Sequence, residues 1–227
     1  MIGAALFLAN ALVYLIGEAI SAAAWSNPAY SYSHNVISDL GVPSFNGAAG
    51  YPDGSPLFWL MNTVFISHGT ILVLAAVLVA PAVSRSRARA FLTSAAVQGV
   101  GLILVGMFPG APDASTATRA GHTLGAAFAI LGGNVTVIIA GAALRRTGRP
   151  LGTVLVSLGT LGIASAIALF TYWSAVGGSG AVIERIAVYT IVGAQLLVAV
   201  VVLVGRFRPG SNHHRAGAQA SVQEPTR

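Results

Sequence analysis

Apolar residues run along this chain in long stretches, without the short apolar–polar alternation that is typical of membrane strands. Six stretches reach the length of about 20 residues that a helix needs to cross the apolar core of a bilayer. Each is bounded by proline, glycine or charge, where helices end. The six stretches cover residues 2–24, 57–80, 90–108, 121–144, 151–174 and 182–205. The pattern predicts an all-α fold, a polytopic transmembrane bundle of six helices.

Composition excludes the other broad classes of protein. Of the 227 residues, 55% are hydrophobic and only 8% are charged, whereas a soluble domain carries about 25% charge. So few charges cannot cover a water-facing surface, which excludes a soluble globular enzyme. Disorder over the whole chain is excluded as well, because it needs low hydrophobicity. With no cysteine, the chain has no disulfide and no thiolate nucleophile.

Arginine placement predicts the orientation of the bundle. All 12 basic residues are arginine, and three clusters, at 85–89, 145–149 and 206–227, fall on the same side of a six-helix bundle. The opposite side holds only Arg119 and Arg185. By the positive-inside rule we expect both termini to be cytoplasmic, in a multi-pass protein of the plasma membrane. Because the arginines flank apolar stretches, we expect membrane lipids as partners and no nucleic acid.

Residues 1–208 are predicted to form the transmembrane domain, and the polar residues 209–227 a disordered cytoplasmic tail. Residues 22–24 resemble a signal-peptidase site after an apolar run. No basic residue precedes that run, however, and it contains Asn10 and Glu18. We therefore expect the first helix to be retained.

One long loop, from residue 25 to 56, joins the first two helices on the outer side. It carries the polar run 34–41, whose last residues, Asp39 to Gly41, suit a turn. Five of the six acidic residues fall on the outer half of the predicted bundle. Ionisable groups in lipid are costly and usually functional, so this asymmetry predicts an outward-facing polar pocket.

Several motifs in chain order carry a family resemblance. The loop holds Pro28, Tyr30 and the run Asn-Val-Ile-Ser-Asp-Leu-Gly at 35–41. These residues resemble the pattern of the DUF998 family of six-helix integral membrane proteins of unknown function. Later matches to the family are Asn62, the Gly-Met-Phe-Pro run at 106–109, His122, and the run Gly180 to Arg185. The resemblance implies a six-helix fold and a set of site residues, and no reaction.

Two groups of residues are predicted to form the site. The candidate catalytic residues are Glu18, Asp39, His122 and Glu184. The candidate substrate-binding residues are Tyr14, Asn35, Ser38, Asn62 and Arg185. No metal ligand is assigned and the cofactor stays open, although Asp39 and His122 could hold a metal with His34 or His68.

Asn10, Tyr14 and Glu18 are spaced by four residues, so they share one helix face, which must point to protein or water. A carboxyl group at the depth of Glu18 must be paired or neutral. We expect Glu18 to be hydrogen-bonded within the bundle. If the protein is an enzyme, a protonated Glu18 is the expected proton donor, helped by Tyr14. Asp39 should approach His122 and Glu184, and Arg185 should pair with Asp39 or Glu184.

Other polar positions favour helix packing. His68 is interpreted as a hydrogen-bonding residue between helices. Gln98, Asn134 and Gln195 are expected to bond from helix to helix. The stripe Gly121, Gly125, Ala129 and Gly133 should let a neighbouring helix approach closely.

These features are compatible with more than one function. Whether the protein is an enzyme also stays open. The first hypothesis is a membrane-embedded enzyme that acts on a lipid or isoprenoid by acid/base or metal-assisted chemistry. The alternatives are a small transporter or lipid-binding membrane protein, and a non-catalytic scaffold. The oligomeric state stays unknown.

Overall fold

The computed structural model describes residues 1–26, 28–43, 54–83, 85–111, 113–146, 150–176 and 180–207. Outside these residues lie the predicted tail at 209–227, with its two histidines at 213 and 214, residue 27 just before the loop motif, and the middle of the long loop.

The described residues form six α-helices, and each is long and apolar enough to span a membrane. No strand occurs among the residues just given, so the predicted all-α fold of six helices is confirmed. A short 3₁₀ helix, Ile37–Gly41, follows the first helix within the long loop. The helices are α1 Ile2–Ala24, α2 Phe58–Val79, α3 Arg85–Met107, α4 Thr116–Arg145, α5 Pro150–Val176 and α6 Gly180–Phe207.

Consecutive helices pack against each other, and α6 also packs against α1 and α4. The two ends of the bundle carry different segments of the chain. We call the end that carries residues 28–43 and the starts of α4 and α6 the loop end, and the opposite end, where α3 starts at Arg85, the arginine end. Towards the arginine end, Phe7, Leu72, Ala75 and Ala199 form a buried apolar cluster.

Glycines bring α3 and α4 into close contact. A methyl group at Gly101 would lie 2.6 Å from the Gly125 carbonyl oxygen and would collide with the backbone nitrogen of Ala129. A methyl group at Gly125 would meet the Gly101 carbonyl oxygen at 2.9 Å. Only a residue without a side chain permits this approach, so the packing role predicted for the small-residue stripe is confirmed.

Buried polar side chains connect helices in the middle of the bundle. Asn134 donates to the carbonyl oxygen of Ala187 (2.9 Å) and accepts from the Thr190 hydroxyl (2.9 Å). His68 on α2 donates from Nδ1 to the Asn10 carbonyl oxygen, and Asn10 donates from its amide to the His68 carbonyl oxygen, both over 3.3 Å. The expected packing roles of His68 and Asn134 are confirmed.

Gln195 differs from that expectation. Both polar atoms of its buried side-chain amide have no hydrogen-bond partner in the described part of the chain.

Candidate functional site

The predicted stripe on α1 faces the interior of the bundle. Asn10, Tyr14 and Glu18 are 0%, 2% and 2% exposed. The ring of Tyr14 packs edge-on against His68, with ring centres 5.0 Å apart. Spacing by four residues therefore identified a buried polar face correctly.

Glu18 is bound by two side chains of α6. The Tyr189 hydroxyl donates to Glu18 Oε1 over 2.8 Å, and Arg185 Nη2 lies 3.8 Å from the same oxygen. The other carboxyl oxygen, Oε2, is buried without a partner among the described residues. Glu18 is hydrogen-bonded within the bundle as expected, and its donor is the Tyr189 hydroxyl.

The predicted partner of Arg185 was therefore wrong. We expected Arg185 to pair with Glu184 or Asp39, whereas its ion pair in the described structure is with Glu18. Consecutive residues of a helix point about 100° apart. Arg185 consequently reaches Glu18 on α1 as well as the loop, while Glu184 faces the 3₁₀ helix and the cavity.

The Arg185 side chain also binds two residues of the loop. Nη1 donates to the Asn35 carbonyl oxygen over 2.6 Å, and Nη2 donates to the Tyr30 hydroxyl. The guanidinium carbon lies 5.6 Å from the centre of the Tyr30 ring and 5.0 Å from that of Tyr32, within the range of cation–π attraction. Burial raises the pKa of both tyrosines, so their hydroxyls stay protonated near neutral pH.

Glu184 and Asn62 hold the 3₁₀ helix of the loop at its two ends. Glu184 Oε2 accepts from the Ile37 backbone N–H over 2.5 Å. At the other end, the Asn62 side chain on α2 donates to the Gly41 carbonyl oxygen over 2.8 Å. A methyl group at Gly41 would collide with the Asn62 side chain, so a larger residue here would displace the group that anchors the loop. Ile37 and Leu40, between these anchors, are 2% and 0% exposed.

Asp39 stabilises the start of that 3₁₀ helix. Its Oδ2 accepts from the Val36 backbone N–H over 3.2 Å, as an acid does near a helix N-terminus. Burial raises the pKa of Asp39 to about 6, although the Asn35 side chain, the Val36 N–H and the charge of Arg185 all oppose the rise. Asp39 lies near enough to Glu184 and Arg185 to interact with their charges.

A narrow cavity lies beneath this segment, between α1, α2, α3, α4 and α6. Its volume is about 50 Å³, enough for a few water molecules. Leu102, Val105, Ala126, Val188 and Val192 form part of a lining that is mainly apolar. The polar residues of the lining are Tyr14, Ser38, His68, Gln98, His122 and Glu184.

His122 is fixed at the loop end of the cavity. Its Nδ1 lies 2.8 Å from the Phe108 carbonyl oxygen, a geometry in which Nδ1 carries the hydrogen and donates it. In the neutral ring Nε2 is then the acceptor, free to take a proton or a hydrogen bond.

A scan against protein-family models matches residues 4–214 to the family described as "Protein of unknown function (DUF998)". This match covers most of the chain. The protein belongs to the DUF998 family. No curated protein and no solved structure matches the chain.

The DUF998 fold divides the predicted site residues into two groups. Four of them line the cavity, and they are Tyr14, Ser38, His122 and Glu184. The other five form hydrogen bonds or ion pairs with other residues of the chain, in or near the loop. They are Glu18, Asn35, Asp39, Asn62 and Arg185. We call this second group, with Tyr30 and Tyr189, the loop clamp.

The described residues of the DUF998 chain contain no cluster of metal ligands. No group of three His, Asp or Glu side chains among them is close enough to share an ion. The alternative of a metal on Asp39, His122 and His34 or His68 therefore has no ligand cluster in that part of the chain.

Two members of the loop clamp were not among the predicted site residues. Tyr189 lies one helical turn after Arg185, and residues four apart on a helix share a face. That spacing could have placed the Tyr189 hydroxyl beside the Arg185 side chain. Tyr30 belonged to the family motif, but nothing in the sequence indicated that its hydroxyl accepts from Arg185.

Proposed function

We propose that this DUF998 protein is a membrane-embedded enzyme that acts on a lipid or isoprenoid, whose small polar group enters the cavity at the loop end and meets Glu184 and His122 in acid/base chemistry. The protein would lie in the plasma membrane, with the arginine end cytoplasmic. The observation that carries the proposal is that a carboxyl group and an imidazole face the same narrow, mainly apolar cavity.

The cavity suits a small polar group in size and chemistry. Ligand sites are usually apolar concavities with a few polar groups that orient the ligand. Here the apolar walls come from α3, α4 and α6, and Ser38, His122 and Glu184 stand together at the loop end. A cavity of about 50 Å³ admits a small group such as a hydroxyl, whereas the hydrocarbon chain and a bulky headgroup would remain outside it.

Glu184 and His122 differ in what they offer to a ligand. His122 presents Nε2 as a base, because Nδ1 donates to Phe108. Glu184 uses Oε2 to accept from Ile37, which leaves Oε1 for the cavity. An acid and a base at one end of an apolar site can move a proton to and from the polar group of a lipid.

The alternative of a conduit through the bundle has less support. The polar lining ends at His68 and Gln98. Beyond them, towards the arginine end, Phe7, Leu72, Ala75 and Ala199 pack into a buried apolar cluster. A transporter would need polar groups on both sides of this cluster.

The test is to fill the cavity. Ala126 lines the cavity, whereas Leu124 on the same helix is 50% exposed on the outer surface of the bundle. In native mass spectrometry of the purified protein, we expect Ala126→Phe to lose a co-purifying lipid or isoprenoid that wild type and Leu124→Phe both retain. Equal retention by all three proteins, or no bound lipid in wild type, would refute the proposal.

A further inference from the structure

The arginine end concentrates positive charge that no nearby acidic side chain balances in the described part of the chain. The acidic side chains that the structure describes are Glu18, Asp39, Asp113 and Glu184, and all of them lie at or near the loop end. The arginine end instead carries Arg85, Arg87, Arg89, Arg145 and Arg146. A surface with charge of one sign attracts ligands of the opposite sign.

The position of these arginines goes beyond what membrane topology requires. The positive-inside rule depends on how many arginines a loop carries, not on where they stand in the fold. Here three of them occupy the first turns of α3, which has no acidic residue in its first turn. The helix dipole disfavours cations at that end of a helix. An anion bound beside them would offset this cost.

Arg87 faces α4 rather than pointing away from the bundle. The Thr136 hydroxyl of α4 donates to Ser94 Oγ of α3 over 2.8 Å, which fixes the facing sides of the two helices. Arg87 lies seven residues before Ser94, and residues seven apart share a helix face. Its Nη1 atom is buried without a hydrogen-bond partner among the described residues.

The end of α4 places two more guanidinium groups near Arg87. On α4, Ala143 lies seven residues after Thr136, so it is opposite Arg87 at about the same level. Arg145 and Arg146 follow Ala143 directly at the end of that helix, and both are exposed. Arg87 itself is partly exposed, so an anion at the surface can approach its side chain.

A phosphate group matches this arrangement. A guanidinium offers paired N–H donors that fit two oxygens of one phosphate. A buried charge without a partner is costly, and a phosphate oxygen would supply the partner that Arg87 Nη1 lacks. Because α3 is a membrane helix that begins at Arg85, the site lies where lipid headgroups meet the bilayer core.

We propose that the arginine end binds the phosphate of an anionic phospholipid, with Arg87 as the central contact and Arg145 and Arg146 at the rim. Basic pockets between membrane helices bind such headgroups. The lipid chains would lie along the apolar outer surface of the bundle. This site lies at the opposite end from Glu184 and His122, and it does not depend on the proposed function.

The test compares lipids that differ in net charge. We would measure the binding of fluorescently labelled phosphatidylglycerol to the purified full-length protein in a non-ionic detergent. Unlabelled phosphatidylglycerol should displace the probe at a concentration about tenfold lower than phosphatidylcholine, whose choline cancels the phosphate charge. Inorganic phosphate, at the concentration where phosphatidylglycerol displaces the probe, should leave it bound.

Variants then locate the site. Arg87→Gln should weaken phosphatidylglycerol binding about tenfold, and Arg87→Lys should recover only part of this loss, because an ammonium lacks the paired donors. Arg119→Gln is the matched control, since it removes one exposed arginine at the loop end, and its affinity should equal that of wild type. If Arg87→Gln does not fold, Arg145→Gln should weaken binding about fivefold.

Each contrary result overturns the proposal. Equal displacement by phosphatidylglycerol and phosphatidylcholine would show that the site does not select an anionic lipid. Equal losses in Arg87→Gln and Arg119→Gln would show that only the total charge matters. Full affinity in both Arg87→Gln and Arg145→Gln would place the lipid elsewhere. Displacement by inorganic phosphate as effective as that by the lipid would mean that the ligand is a free phosphate.

Discussion

Arg185 of α6 and Glu18 of α1 form a buried ion pair, with 3.8 Å between Nη2 and Oε1. The pair joins the last helix of the chain to the first. Because the Tyr189 hydroxyl donates to the same Glu18 oxygen, and Arg185 also bonds the Asn35 carbonyl oxygen, one pair supports both the helix interface and the loop.

This arrangement predicts different costs for two changes at Glu18. Glu18→Leu leaves the buried guanidinium without its carboxylate, which should lower the free energy of unfolding by about 3 kcal/mol. Glu18→Gln keeps an oxygen that accepts from Tyr189 and should cost about 1 kcal/mol. Unfolding in a mixed-detergent titration would measure both values. If Glu18→Leu were as stable as wild type, the ion pair would have no role in stability.

Gly101 and Gly193 offer a matched test of helix packing. A methyl group at Gly101 meets the backbone of α4, whereas a methyl group at Gly193 meets nothing within 4 Å. Gly101→Ala should therefore cost more than about 2 kcal/mol, since overpacking forces the helices apart. Gly193→Ala should be neutral or stabilise the helix by up to about 1 kcal/mol. Thermal unfolding in detergent distinguishes the two, and equal effects would show that α3 and α4 do not pack as described.

The fold could be predicted because each membrane helix is encoded by the apolar length of its own segment. Apolar length alone predicted the six helices, and the first was predicted at residues 2–24, where the structure has α1 at Ile2–Ala24. Periodicity of four residues also predicted which face of α1 is buried. Neither prediction depends on how distant segments meet.

Side-chain partners were less predictable, because they depend on contacts between segments far apart in the chain. Arg185 follows Glu184 in sequence, which suggested that they pair. In the folded chain Glu184 instead accepts from the backbone of Ile37, and Arg185 reaches Glu18. The division into a cavity and a loop clamp likewise follows from the packing of the loop against α6, which no local pattern encodes.

The predicted orientation can be tested by cysteine labelling, because the natural chain has no cysteine. Ala114 lies next to the start of α4 at the loop end, and Ala82 is exposed beside the start of α3 at the arginine end. In intact cells, a membrane-impermeant maleimide should label Ala114→Cys and should label Ala82→Cys only after permeabilisation. The opposite pattern would reverse the topology that the arginines predict.

The last prediction concerns pH and the loop. Burial raises the pKa of Asp39 from its ordinary value of 3.8 to about 6. The Asp39 carboxyl group therefore binds its proton more tightly in the folded loop than in the released loop. The resulting stabilisation is fully present below about pH 4 and is lost as the pH rises through about 6. Hydrogen exchange of residues 35–41, corrected for the intrinsic rate, should therefore show weaker protection at pH 7 than at pH 4.5. Asp39→Asn keeps an oxygen that accepts from Val36 and removes the titration, so its protection should not change between these pH values. If Asp39→Asn showed the same loss of protection as wild type, another group would control the loop.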